Sequence, residues 1–213
     1  MLRQQYSQDL DRMKKILAQM GEIAFDMFEK SMDAFWNQDE ELAKIVTEMD
    51  NTPDQLEKTI EVAAIHLISL QQPLARDTRE VVCAIRIATD LERVSDHAVD
   101  ISEYALYSHR NIVSDDMMES LTRIRKKAGD MILGAMKAYE TRDIELAYKI
   151  AEMDDDIDVV FWNMRTSIMN GNPYDIPIQV LILAEHIERI ADYATNICEE
   201  VVYLVKYEHV KLN

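Results

Sequence analysis

The second half of this chain repeats the first, and the repeat runs in order through elements that all carry helical spacing. At an offset of 104 residues, Asp26-Met27 matches Asp130-Met131, and Met32, Ala34 and Phe35 match Met136, Ala138 and Tyr139. Asp39-x-Glu41-Leu42-Ala43 matches Asp143-x-Glu145-Leu146-Ala147, and Glu48-Met49-Asp50 with Asp54 matches Glu152-Met153-Asp154 with Asp158. Beyond a shorter second turn the offset falls to 96. There Glu92-Arg93, Asp96, Ala98, Ile101 and Glu103 match Glu188-Arg189, Asp192, Ala194, Ile197 and Glu199. Ordered matches along consecutive elements mark a duplicated unit.

Each unit reads as three helices. Leu10, Met13, Ile16, Leu17, Met20, Ile23, Ala24 and Met27 form one stripe, predicting a first helix over about 5–36. Asn37 with Glu40 reads as an N-cap and capping box, opening a second helix to about residue 70. Gln71-Gln72-Pro73 predicts a turn, and a third helix follows over about 76–108. Residues 111–116 lead to a fourth helix, about 117–140; Thr141 is placed to cap a fifth, about 143–169. Asn170-Gly171-Asn172-Pro173 is the strongest turn signal, before a sixth helix over about 174–207. Four Gly and four Pro in 213 residues suit helices, not a sandwich or barrel. The predicted fold is all-α, with two tandem three-helix bundles over residues 1–112 and 113–213. The molecule should be elongated, because a helix of roughly 30 residues spans about 45 Å.

A net charge of -17 excludes a nucleic-acid ligand, which needs a Lys/Arg surplus to neutralise phosphates. The one basic cluster, Arg123, Arg125, Lys126 and Lys127, reads first as a solvated helix face and second as a docking patch. Cys83 and Cys198 stand far apart among apolar neighbours, as buried free thiols do. No apolar run approaches the roughly 18 residues that span a bilayer. The expectation is a cytoplasmic protein without direct membrane insertion, reaching a membrane only through a partner.

Asp50-x-x-x-Asp54, Glu92-x-x-x-Asp96, Asp154-x-x-x-Asp158 and Glu188-x-x-x-Asp192 each set two carboxylates one turn apart on one helix face. Asp100 and Asn196 extend the second and fourth of these ladders. Number carries no weight here: 40 acidic residues give about seven such pairs by chance at helical spacing, and ten occur. Placement does, because the ladders recur at matching places on the second and third helices of both units, which are neighbours in a three-helix bundle. Facing carboxylates repel unless protons or cations intervene, and oxygen donors suit Mg²⁺, Mn²⁺, Ca²⁺ or iron, with zinc admissible. Pro53 should kink or break the second helix and distort the first site. None of the five histidines follows a Glu by three residues, which counts against a di-iron bundle enzyme. A carboxylate-bridged hydrolase or oxidase is still the rival reading, and a helical scaffold whose ladders are merely solvated is a third. His97, beside Asp96, has Tyr193 as its equivalent and reads first as a surface or packing residue, second as a metal ligand or a group supporting one.

Leu91-Glu92-Arg93-Val94-Ser95-Asp96-His97-Ala98 and Ile187-Glu188-Arg189-Ile190-Ala191-Asp192-Tyr193-Ala194-Thr195-Asn196-Ile197 resemble the paired signature of the PhoU family. Gln72-Pro73-Leu74-Ala75-Arg76-Asp77-Thr78-Arg79 resembles the opening of that family's third helix, and Glu199-Glu200-Val201-Val202-Tyr203-Leu204-Val205 its C-terminal helix. The resemblance implies two bundles related by a pseudo-twofold axis. It implies multinuclear iron or zinc clusters on Asp50, Asp54, Glu92, Asp96 and Asp100, and on Asp154, Asp158, Glu188, Asp192 and Asn196. It further implies a non-enzymatic negative regulator of phosphate uptake, coupling the phosphate ABC transporter to a sensor histidine kinase. Tyr193 departs from the His that often follows the second motif's Asp. The residues leave the oligomeric state open, a homodimer included.

Overall fold

Burial selects one stripe of each helix. In α1 (Leu2–Asn37) the stripe is Leu10, Met13, Leu17, Met20, Ala24 and Met27; in α5 (Asp115–Thr141) it is Leu121, Ile124, Ala128, Met131, Ile132 and Ala135. The computed structural model describes residues 2–71, 75–107, 114–170 and 176–212, with no strand among the described residues. The other elements are α2 (Glu40–Met49), α3 (Asn51–Gln71), α4 (Ala75–Tyr107), α6 (Ile144–Ala151), α7 (Asp154–Met169) and α8 (Ile178–Lys206). No described helix is long and apolar enough to cross a membrane.

These eight segments build six rods. In the first bundle α4 packs on α1, α2 and α3; in the second, α8 packs on α5, α6 and α7. The halves meet through α4 on α8 and α1 on α5, so each contact pairs a helix with its own repeat equivalent, as a pseudo-twofold axis requires. One continuous apolar core runs from Leu17 and Leu91 in the first half to Ile132 and Ile187 in the second. The predicted boundary at 112/113 lies outside the described residues, as do most of the Gln71–Pro73 and Asn170–Pro173 turns.

Local chemistry corrects the predicted caps. Asp39, not Asn37, opens α2, its carboxylate accepting from the Leu42 N–H at 3.0 Å. Asp143, not Thr141, does the same for α6 through Leu146. Gln38 (φ 54°) and Arg142 (φ 56°) sit just before these caps in the left-handed conformation, reversing the chain in one residue. Helix α5 starts at Asp115, capped by Ser114, slightly before its predicted start.

The second and fifth rods are both broken. The first break falls at Asp50, and Pro53 lies in the first turn of α3, where its missing N–H has no helical partner to lose. The second break, at Glu152–Met153, occurs without a proline and corrects the continuous fifth helix of the prediction. The break is therefore a property of the repeat, and Pro53 is accommodated in it.

Charged ties reinforce the junction between the halves. Glu80 is 4% exposed and pairs with Lys14 of α1 and with Arg142 after α5, the latter at 2.5 Å. Arg125 binds Glu29 and Asp33 of α1, each at 2.7 Å, while Lys127 pairs with Asp156 and Lys126 with Asp130. Arg125 and Lys127 of the basic cluster thus reach other helices, while Arg123 and Lys126 stand exposed as the solvated face expects. Cys83 and Cys198 are buried free thiols, as expected, and burial pushes the Cys198 thiol up to about 12.

Candidate metal centres

The break in each second rod sets one acidic ladder at the start of a fresh helix, against the middle of the bundle's third rod. In the first half, Asp50 caps α2 and Asp54 lies in the first turn of α3, opposite Glu92 and Asp96 of α4. The Glu92 carboxyl is raised to about 7 by burial, then by Asp96, with Glu57 and Asp54 adding and Arg93 opposing. Asp50 is raised by burial and by Asp54 and Asp100, and Asp96 by burial with Asp50 and Asp54 adding against Arg93. Arg93 reaches Asp96 at 3.0 Å and Glu92 at 3.4 Å, and Lys58 reaches Asp54 at 3.5 Å.

The second half repeats the arrangement. Glu188 is raised to about 7 by burial and by Asp192, with Asp158 and Glu185 adding and Arg189 opposing. Asp158 is raised by burial, Asp192 and Asp155. Asp154, the equivalent of Asp50, is only 2% exposed, the deepest of the ladder carboxylates. Arg189 lies farther from Glu188, at 3.8 Å, than Arg93 does from Glu92.

Asp100, which bears on Asp50, and Asn196 also make contacts between the halves. Both lie where α4 packs on α8. Asn196 hydrogen-bonds Asp90, whose carboxyl burial raises to about 7 with Glu200 and Glu199 adding. At the repeat-equivalent place, Asp100 faces His186, with 3.8 Å between Oδ2 and Nδ1. His97 and Tyr193, themselves equivalents, meet between these two pairs with ring centroids 5.7 Å apart, marking the pseudo-twofold axis. The His97 ring leans to one side of it, bringing its Nδ1 to 2.9 Å from Nδ1 of His186. Burial lowers the pKa of both imidazoles, that of His97 to about 4, helped by His186.

The PhoU domain model matches residues 17–105 and again 121–201, once in each half. The chain belongs to the PhoU family. It is 33% identical over 219 residues to a phosphate-specific transport system accessory protein PhoU homolog of Clostridium acetobutylicum, covering the full length of both. A homolog of the same description from Streptococcus pneumoniae is 30% identical over 223 residues, again end to end. The crystal structure of the phosphate transport system regulatory protein PhoU from Streptococcus pneumoniae superposes with a TM-score of 0.86 at 26% identity, over 97% of this chain and 99% of that one. PhoU from Pseudomonas aeruginosa matches the fold equally well, with a TM-score of 0.86 at 24% identity over 95% of this chain and all of that one.

Each PhoU repeat thus carries one set of ladder carboxylates. Their chemistry fits a hard or borderline cation, since they are oxygen donors held in a crowd that favours protonation. Their spacing is open: among the described residues no three ladder carboxylates bring their oxygens within 4.8 Å of one another, and only His97, Asp100 and His186 form such a set. Sequence reasoning missed Glu57, which accepts from Thr89 at 2.8 Å and bears on Glu92. The signal for it in the sequence is its spacing of three from Asp54, an i,i+3 neighbour on the same helix face. No local signal marks His186, because its partners lie 86 and 89 residues away in sequence.

Proposed function

We propose that this protein is the accessory regulator of a phosphate ABC transporter, a non-enzymatic adaptor that couples the transporter to a sensor histidine kinase and holds phosphate-starvation genes off when phosphate is plentiful. The observation that carries this reading is the PhoU match in both halves, with relatives named as transport accessory proteins aligning from end to end. The resemblance supplies the kinase and the sign of regulation. A tagged full-length chain, drawn from phosphate-replete cells, should bring down transporter and kinase subunits. Recovery of neither would refute the adaptor.

The ladder carboxylates are the proposed metal sites of this adaptor: Asp50, Asp54, Glu92 and Asp96 in one repeat, Asp154, Asp158, Glu188 and Asp192 in the other. Iron or zinc in multinuclear clusters is the family expectation, with Mg²⁺ and Mn²⁺ as hard-cation alternatives. The crowding that raises Glu92 and Glu188 supports it, because a cation relieves the repulsion. In this reading the ions fix the second rod against the third, setting the surfaces that partners meet. Metal analysis of protein purified without added metal tests it. Glu92→Gln with Asp96→Asn should remove the first-repeat ions, and unchanged metal content after replacing both ladders of each repeat would sink the assignment.

A further inference from the structure

We propose that His97, Asp100 and His186 form a separate mononuclear site for a borderline divalent cation of the zinc type, bridging the two repeats where α4 packs on α8. Three donor atoms converge there: Nδ1 of His97 and Nδ1 of His186 at 2.9 Å, with Oδ2 of Asp100 at 3.7 Å from the first and 3.8 Å from the second. In the plane of that triangle the point equidistant from its corners lies about 2.0 Å from each, and Zn–N and Zn–O bonds are about 2.0–2.2 Å. Hydrogen bonding accounts for less of this geometry. Two neutral imidazoles can share one proton across 2.9 Å, but the carboxylate oxygen is beyond hydrogen-bond reach of either ring nitrogen. A cation there meets all three atoms directly at coordination distance, whereas a bridging water would sit out of their plane at hydrogen-bond distance from each.

The ligand chemistry also differs from that of the ladders. Two imidazoles with one carboxylate select zinc, iron or nickel over Mg²⁺ and Ca²⁺, which take oxygen donors. Metal binding needs neutral imidazoles, and both rings are largely shielded, with side-chain exposures of 20% and 14%. Asp100 is 49% exposed, which leaves solvent access for a fourth ligand. Tyr193 and Tyr104 flank the two rings and restrict their orientation.

The repeat supplies an internal contrast. Across the pseudo-twofold axis the equivalents of His97, Asp100 and His186 are Tyr193, Asn196 and Asp90, and there an Asn–Asp hydrogen bond closes the contact. Packing α4 on α8 therefore does not itself demand the histidines. Since His97 and Asp100 belong to the first repeat and His186 to the second, an ion here ties the two PhoU repeats together directly. Its occupancy would hold the angle between the bundles, independently of ions on the ladders.

Zn²⁺ titration of the chelator-stripped full-length protein, in competition with a chromophoric chelator, tests this. Three variants are compared with the parent: His97→Gln with His186→Gln, Asp100→Asn alone, and a ladder variant carrying Glu92→Gln, Asp96→Asn, Glu188→Gln and Asp192→Asn. The expected result is one tight Zn²⁺ equivalent assignable to this site beyond any on the ladders, weakened on the order of 100-fold in the double-histidine variant and on the order of 10-fold by Asp100→Asn, and retained when the ladder variant loses the rest. Co²⁺ substitution should give visible bands of a low-coordinate nitrogen and oxygen site that vanish with the histidines. Asp100→Asn keeps both rings and the shape of the contact, so it reads the site even if the double-histidine variant melts early. Retention of the tight equivalent in both His and Asp100 variants would overturn the proposal. Loss of it in the ladder variant alone would do so too, while leaving the ladder assignment standing.

Discussion

Replacing Glu92 with glutamine in metal-free protein should stabilise the fold at neutral and alkaline pH. The Glu92 carboxyl has a side-chain exposure of 15% and is raised from 4.5 to about 7 by burial and by Asp96. Below pH 4.5 both folded and unfolded chains hold its proton, and the group adds no pH dependence. Between 4.5 and about 7 the unfolded chain has released the proton while the folded one keeps it, so stability falls as pH rises; above about 7 the loss is complete. At about 1.36 kcal/mol per pKa unit the loss approaches about 3 kcal/mol. The substituted amide cannot ionise, and it keeps the volume of the side chain. The difference between variant and parent should therefore open near pH 4.5 and level off above about 7. Its plateau should be about 2–3 kcal/mol, or roughly 4–12 °C in Tm for a chain of this size. Thermal melts followed by circular dichroism in chelator, at half-unit steps across the acid-to-alkaline range, measure it directly. Added divalent metal should stabilise the parent more than the variant, since the cation replaces the missing proton. A variant less stable than its parent in mild alkali, or two parallel pH profiles, would refute the argument that carboxylate crowding strains this site.

Glu80→Gln should have the opposite sign. Lys14 and Arg142 hold the buried Glu80 carboxyl below its usual range of 4.5 against the cost of burial, so its contribution is present above that range and fades as pH falls through the folded value. Losing it should cost about 2–4 kcal/mol at neutral pH, discounted from the fully buried case because both cations are one-third exposed; denaturant titrations at neutral and strongly acid pH should show the difference shrinking in acid. Asp39→Ala and Asp143→Ala each remove a helix cap and should cost about 1 kcal/mol apiece by urea unfolding. Similar losses are expected from the two, since the caps are repeat equivalents. Gly134→Ala drives a Cβ into Cδ1 of Ile150 and to 2.8 Å from its Cγ1, where α5 crosses α6. Overpacking there should cost about 1–3 kcal/mol, and combining it with Ile150→Val should recover part of the loss in a double-mutant cycle.

Spacing alone made the rods and ladders legible, because both follow from neighbours three and four residues apart on a helix. The same reasoning chose Asn37 and Thr141 as caps where Asp39 and Asp143 accept the bonds. A residue type favoured at a helix start does not by itself say which of two nearby candidates the chain reversal leaves at the start. Gln38 and Arg142 in left-handed conformation settle that, and nothing in their side chains announces it. Likewise the fifth rod carries unbroken helical periodicity, yet it breaks at Glu152–Met153, and both of its pieces pack on α8.

Three properties of this protein are written in its residue order: it is all-helical, it is one three-rod unit used twice, and each copy presents two acidic ladders on neighbouring rods. All three rest on short-range spacing and internal repetition, which survive without knowledge of what packs on what. The role of Asp100 and Asn196 is different, and it emerges only from packing. Spacing extended the ladders through them; the fold also sets them at the α4–α8 junction, where one meets His186 and the other Asp90. The reason is geometric. Two equivalent helices crossing at a pseudo-twofold axis bring together residues nearly a hundred positions apart, and the identity of those partners departs from the repeat at the point where the two halves touch.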